Sequence, residues 1–239
     1  MGIRTLKKEI LTLLSTGDFR KNLDTIRSMP ARQAVNPLLA FFYHTDAIIR
    51  WHAVSAMGLV VSDLADTDME SARIIMRRLI WNLNDESGGI GWGSPEAMGD
   101  IMARHRQLAD EFSKLLCSYV MPHGNFLEHE ALQRGVLWGL ARLARHRPAH
   151  VTAAGPFLCP FLTSKDPAHR GLSVLIMGSV LYRASITDLE GMIDDPAIVE
   201  VYEDLRFKTF TVGGLAADAL SKLMNTVSGQ GDTDDRSQT

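Results

Sequence analysis

The chain has 239 residues, 46% hydrophobic and 22% charged, enough for one medium domain or a short repeat array with a continuous core. A formal net charge of −3 excludes a general electrostatic pull toward nucleic acid or anionic membranes, although a local basic patch is compatible with it. The two cysteines, Cys117 and Cys159, lie far apart in apolar stretches; this is neither a disulfide framework nor a zinc spacing, and buried free thiols are expected.

The N-terminal stretch MGIRTLKKEILTLL mixes Lys, Arg and Glu through its apolar residues, unlike a signal peptide. No apolar run approaches the roughly 18 residues that span a bilayer. The expectation is a soluble, cytoplasmic protein with no membrane partner. Ile3, Leu6, Ile10, Leu11, Leu13 and Leu14 recur at helical spacing. Gly17 ends that helix, and Asp18 caps a second with Phe19, Leu23 and Ile26 inside. Residues 1–30 are therefore expected to be a capping helix pair.

A unit that recurs then begins. NPLLAFFYHTDAIIRWHAVSAMGLV at 36–60 and CPFLTSKDPAHRGLSVLIMGSVL at 159–181 place Asp46 with Asp166, Arg50 with Arg170 and Gly58 with Gly178, all at an offset of 120. AMG at 56–58 meets AMG at 97–99, and Gly139 and Gly178 follow at offsets of 40 and 39, so the period is about 40 residues. Each unit reads as helix, short Asp- or Asn-containing turn, helix. Glycine inside the second helix costs about 1 kcal/mol against alanine; its recurrence points to close helix–helix approach. The sequences Thr67–Glu70, Asn125–Glu128 and Thr187–Glu190 fit capping boxes, and Ser94-Pro95 and Asp166-Pro167 fit a cap followed by proline in the first turn. Trp51, Trp81 and Trp138 are expected in the core.

These residues, an Asp turn, then Arg, then small apolar residues ending in A-(M/L)-G, resemble HEAT repeats, in particular HEAT-like repeats of the phycobilisome-lyase type. The likeness covers about residues 31–225. LNDESGGIGWGSPEAMGDI and NFLEHEALQRGVLWGLARLA further resemble an uncharacterised bacterial group of such proteins. The resemblance implies an all-α, right-handed α-α superhelix, here over residues 31–227, and no assigned reaction. The last unit departs from the pattern. Val199, Val201, Phe207, Thr209 and Thr211 alternate with their neighbours, which predicts a β-hairpin over 198–212 with its turn at Glu203-Asp204. Residues 228–239 contain no apolar side chain and read as a disordered tail.

The loop NDESGGIGWGSPE, 84–96, enlarges one inter-helix turn. Asn84, Asp85, Glu86 and Ser87, four glycines and Trp92 suit close approach of a partner or ligand. It is not a phosphate loop: it has no Lys, and Asp85 and Glu86 would repel phosphate. Glu128-His129-Glu130 is a poor metal cluster, because consecutive helical residues diverge. Deoxyhypusine hydroxylase, a HEAT-repeat metalloenzyme, carries His-Glu pairs before its small-residue runs. The matching slots here hold Trp51-His52, Trp92-Gly93, Leu132-Gln133 and Gly171-Leu172. His146 and His150 have metal spacing, but Pro148 between them ends the helix. There is no GxSxG and no activated cysteine. The basic run 142–147 reads as a solvated helix end.

Repeats that share positions stack their second helices into one concave face. Arg50, His52, Trp92, Glu96, Arg134 and Arg170 lie on or just before those helices, and the arginines alternatively bond an Asp of the next repeat. The expected function is a non-enzymatic scaffold that binds a protein or peptide through the concave face and the 84–93 loop, without metal or cofactor. Trp92 is the expected anchor, and Asn84, Asp85, Glu86, Ser87, Glu96, Arg50, His52, His129, Arg134 and Arg170 are the candidate contacts. A cofactor- or chromophore-handling protein built around Glu86, Trp92 and His129 is the alternative, and nucleic-acid binding through the basic clusters Arg77-Arg78, Arg104-His105-Arg106 and 142–147 is the weakest reading.

Overall fold

The computed structural model describes residues 3–84 and 91–228. Two short helices, α1 (Ile3–Ser15) and α2 (Phe19–Arg27), precede the array, with Asp18 accepting a bond from the Arg20 amide at 3.1 Å. Helix pairs follow: α3 (Ala31–Phe41) with α4 (Ala47–Thr67), α5 (Met69–Asn84) with α6 (Ser94–Arg104), and α7 (Arg106–Ser118) with α8 (Glu130–His146). In the fourth unit the outer helix is broken into 3-10 turns and the four-residue α9 (Cys159–Leu162), before α10 (Pro167–Ser179). The fifth holds α11 (Ile186–Glu190), the strands β1 (Ile198–Glu203) and β2 (Arg206–Thr211), and α12 (Val212–Ser228). The chain is thus a mostly helical solenoid with a small C-terminal hairpin inside its last unit. The expected tail lies, apart from Ser228, outside the described residues.

The second helices α4, α6, α8, α10 and α12 stack directly on one another in sequence order. The repeat glycines make this possible. A Cβ on Gly99 would lie 2.7 Å from the carbonyl carbon of Gly139, and one on Gly139 would lie 2.5 Å from the Pro95 carbonyl oxygen. One on Gly178 would meet the Ala219 methyl at 2.8 Å, and one on Gly58 would sit 2.7 Å from the Asp100 carboxyl carbon. Backbone thus packs against backbone or small side chain, and the helices run parallel with their N-termini along one edge. Charged pairs tie successive units along this stack. Arg134 bonds Asp166 and Arg170 bonds Asp195 at 2.8 Å, each one unit onward; on the outer layer Arg73 meets Glu111 at 2.8 Å.

Helix α4 corrects one expectation. It is 21 residues long and apolar enough by composition to cross a membrane, but 61% of its most apolar stretch is buried inside the protein, as for a core helix. Capping corrects another. Asp46 and Asp166 cap α4 and α10 through bonds from Ile48 N at 2.8 Å and Ala168 N at 2.9 Å. The three expected capping boxes do not form. Asp68 rather than Thr67 accepts the Ser71 amide at 3.1 Å, Asn125 bonds Ser118 instead of opening α8, and Thr187 lies inside α11. Gly93, at φ +74°, rather than Ser94, is the residue before α6, and the Ser94 hydroxyl is buried without a partner. Trp81, expected in the core, is 72% exposed. In the C-terminal turns of α5 its helical neighbours Leu79 and Leu83 take the core instead. Trp138 is buried and Trp51 half-buried.

Gly99→Ala should therefore destabilise the fold by about 1–3 kcal/mol in urea unfolding, the usual cost of overpacking. Gly191→Ala, where the nearest atom is the Asp188 carbonyl oxygen at 3.4 Å, should change stability by less than about 0.5 kcal/mol. Equal losses would contradict the role given to the close contact.

Candidate functional site

Two surfaces concentrate chemistry. The first is the edge that carries the intra-unit turns α3–α4, α5–α6 and α7–α8, where the N-termini of α4, α6 and α8 emerge. Glu96, in the first turn of α6, packs its carboxylate against Gly135 of α8, whose missing side chain makes the room. Arg50 of α4 is close enough to act on that charge. Glu96 Oε2 is shut off from solvent and has no hydrogen-bond partner. Burial pushes this carboxyl up to about 7, opposed by its own backbone N–H and by the Arg50 guanidinium. Beside it Trp92, 36% exposed, sets its ring edge-on to His129 with centroids 5.8 Å apart. The same edge presents Tyr43, Trp81 and Phe126, at 49%, 72% and 39% exposure.

The candidate contacts thus divide. Trp92, Glu96, His129 and Arg50 come together on this edge. Arg50 also bonds the His44 carbonyl at 2.7 Å, and Arg170 does the same to the Ser164 carbonyl at 2.7 Å, so both brace the turn before their own helix. Arg134 and Arg170 reach an Asp of the following unit, the alternative role read from the sequence. His52 lies elsewhere: it stacks on Phe19 at 3.5 Å and donates from Nδ1 to the Leu14 carbonyl at 2.6 Å. Burial lowers its pKa, and bonds to the Leu14 and Leu205 carbonyls oppose this. Side chains of Asn84, Asp85, Glu86 and Ser87 lie outside the described residues.

The second surface is the concave face, and sequence reading missed most of it. The hairpin does not stand in solvent but folds back across the second helices. Tyr202 stacks on Trp51 with centroids 5.0 Å apart, Trp138 donates from Nε1 to the Tyr202 carbonyl at 3.0 Å, and Phe207 meets Trp51 edge-on at 6.3 Å. Arg145 pairs with Glu203, and Lys208 with Glu203 at 3.0 Å and with Asp204. The register, with Glu203 opposite Arg206, leaves Asp204 and Leu205 as the turn, one residue later than expected. Both have positive φ, 52° and 67°, as a tight type I′ turn requires. Leucine in that region is strained by about 1–2 kcal/mol, and packing of Leu205 against the core offsets it.

A cleft of about 460 Å³ remains between the hairpin and α6, α8, α10 and α12. At its floor Asp100, 2% exposed, packs over Gly58 and receives Arg104 Nε at 2.8 Å and Arg142 Nε at 2.7 Å. The basic run 142–147 is therefore a bonded cluster and not a solvated helix end: Arg142 holds Asp100, Arg145 holds Glu203, and Arg147 bonds the Met102 carbonyl at 3.1 Å. The one signal for it was position: Asp100 follows the repeat glycine Gly99, which places an acid on a buried helix face. Among the described residues no group of three His, Cys, Asp or Glu side chains is arranged to hold a metal ion. Cys117 is buried, its thiol pushed up to about 12 by burial, and Cys159 is half-buried; neither is paired.

Glu96 gives a pH test. Its folded pKa stands above the ordinary 4.5, so the folded state holds the proton more tightly than the unfolded chain. The stability this confers is full below about pH 4.5 and lost as pH rises through about 7. Glu96→Gln should raise stability at pH 8 by on the order of 2 kcal/mol, and leave it nearly unchanged at pH 4.5, in parallel denaturation series. The same shift at both pH values would contradict the assignment.

No family model matches the chain. A 107-residue stretch is 28% identical to an uncharacterized protein of Archaeoglobus fulgidus, covering 45% of this chain and 52% of that one. The match thus spans about half the length of the relative. Among solved structures, an engineered protein superposes with a TM-score of 0.55 at 15% identity, over 94% of this chain and 98% of its own. A designed armadillo repeat protein, solved in complex with the peptide (KR)4, superposes at 0.53 and 15% identity, over 91% and 99%. Computationally designed armadillo repeat proteins for modular peptide recognition give 0.50 at 14% identity, over 91% and 99%. At such identities the likeness is one of fold: the chain is a helical solenoid similar to designed armadillo repeat proteins.

Proposed function

We propose that this chain is a non-enzymatic solenoid scaffold that takes a protein or peptide partner along the turn edge and the adjoining rim of its concave face. The observation that carries this reading is the row of exposed aromatics on that edge, Tyr43, Trp81, Trp92 and Phe126. Large aromatics in solvent are costly to leave uncovered, and aromatic anchors dominate the energetics of protein interfaces. Glu96, Arg50 and Arg134 supply a polar surround of both signs. The hairpin covers the middle of the concave face, which moves the partner surface outward from where the repeat register alone would put it. The peptide-bound designed solenoid is a precedent for the fold used in this way.

A second reading follows the finer likeness to lyase-type HEAT repeats, in which a chromophore or cofactor sits by Trp92 and His129. Its support is the edge-on contact of those two rings beside the shielded Glu96 carboxylate. An absorbance and metal scan of protein purified from its native host separates the two readings: a stoichiometric chromophore would favour the second.

The test of the first reading is affinity capture from the native host with wild type, Trp92→Ala and Trp81→Ala. Trp81 is so exposed that its loss should change stability by less than about 0.5 kcal/mol. Each substitution should weaken capture of a common partner by about tenfold or more, the scale of an interface anchor. Undiminished capture of the same partners by both variants would overturn the assigned surface.

A further inference from the structure

The concave cleft has features that scaffold function does not use. Arg104 and Arg142 each spend Nε on the buried Asp100, and Arg142 Nη1 lies 2.8 Å from His146 Nε2. Both terminal nitrogens of Arg104 and one of Arg142 have no protein partner among the described residues. Asp100 cannot move to serve them differently, because it is wedged over Gly58. Two guanidinium planes are therefore fixed in orientation at no further entropic cost, the arrangement that favours bidentate recognition of oxyanions.

A second, independent observation lies in the same wall. Tyr202 is only 3% exposed and lines the cleft with Ser55; its hydroxyl makes no hydrogen bond of good geometry, although the Ser55 hydroxyl lies close enough to act on it. Burial raises its pKa most, the Ser55 hydroxyl opposes this, and the Asp100 charge adds to the rise, so it stays protonated and able to donate. A buried polar group without a partner costs about 1–3 kcal/mol, and a ligand acceptor would relieve that cost. Five Arg or Lys side chains and four Asp or Glu side chains line the cleft. Three of the four acids are already engaged: Asp100 by two arginines, Glu203 by Arg145 and Lys208, and Asp204 by Lys208. The fourth, Asp218, is exposed on α12. Leu175 of α10 and Leu215 of α12 supply an apolar part of the lining, next to Ser179, Asp218 and Lys222 of the same helices. The volume falls in the range of small-molecule sites.

We propose that this cleft binds a small organic anion, its phosphate or carboxylate held by Arg104, Arg142 and the Tyr202 hydroxyl and its apolar body lying against Leu175 and Leu215. The hairpin completes the site, since Tyr202 comes from β1 while the arginines come from α6 and α8. The site is independent of the partner edge and stands or falls separately from it.

The experiment is titration of the full chain with hexyl phosphate, hexanoate, inorganic phosphate and hexylammonium, followed calorimetrically and by amide chemical shifts. At least one alkyl anion should bind more tightly than inorganic phosphate and perturb residues of the hairpin and α8, and hexylammonium should not bind. Tyr202→Phe removes only the unpartnered hydroxyl; it should leave stability unchanged or higher and weaken the anion several-fold. Arg104→Lys keeps a cation on Asp100 but loses the planar fork, and should weaken the anion about tenfold. Absence of binding by both alkyl anions overturns the proposal. So does equal binding of hexylammonium, or full affinity in both variants.

Discussion

The structure depends on one constraint: the second helices approach until backbone meets backbone. Gly99 on Gly139, Gly178 on Ala219 and Gly58 under the Asp100 carboxylate set that distance. Each glycine sacrifices helix propensity, about 1 kcal/mol, and the sacrifice is repaid by tight stacking. Because α4, α6, α8, α10 and α12 run parallel at this spacing, their N-termini line one edge and their middles form one trough. Both candidate surfaces follow from that arrangement. The Glu96 carboxylate is shielded because Gly135 leaves space for it, and Asp100 is buried because Gly58 leaves space for its own. The device that packs the array therefore also installs the two acids around which the surrounding charges are ordered.

The hairpin gives the trough a second wall. Tyr202 stacked on Trp51, the Trp138 bond to the Tyr202 carbonyl, and the Arg145–Glu203 pair connect the last unit to the first and third. Aromatic pairs of this kind are worth about 0.5–1.5 kcal/mol each beyond burial. An open solenoid transmits stability only between neighbours. Here a strand pair inserted near the C-terminus couples units that are not adjacent, and the strained turn at Asp204-Leu205 is held where its tip meets His52 of the first unit.

Much of the architecture was legible because it is written locally and then repeated. The glycine period, the Asp166-Pro167 cap and the alternation over 198–212 are short-range signals, and each matches an element. The capping boxes were not legible. The side chain of Asp68, not Thr67, takes the Ser71 amide, and α8 begins five residues after Asn125. Nor could composition tell which face of α5 Trp81 occupies, since apolar residues surround it in the sequence. At the candidate sites, Trp92, Glu96, His129 and Arg50 were found because the repeat register aligns helix starts. The Asp100–Arg142 pair, 42 residues apart, and the docking of Tyr202 on Trp51 are long-range contacts, and nothing local encodes them. Arg142 looked like one cation among several at a helix end; only the partner from α6 distinguishes it.

The central claim is that array and hairpin form one cooperative unit whose concave surface is built from both. Amide hydrogen exchange measures this directly. If the hairpin is docked as described, the ladder amides of β1 and β2 should exchange with protection comparable to the middle of α8, and Trp138→Phe, which deletes the bond to the Tyr202 carbonyl, should lower protection in the hairpin before it lowers protection in α8. Hairpin amides that exchange as fast as an open loop in the wild-type protein, while α8 stays protected, would contradict the account.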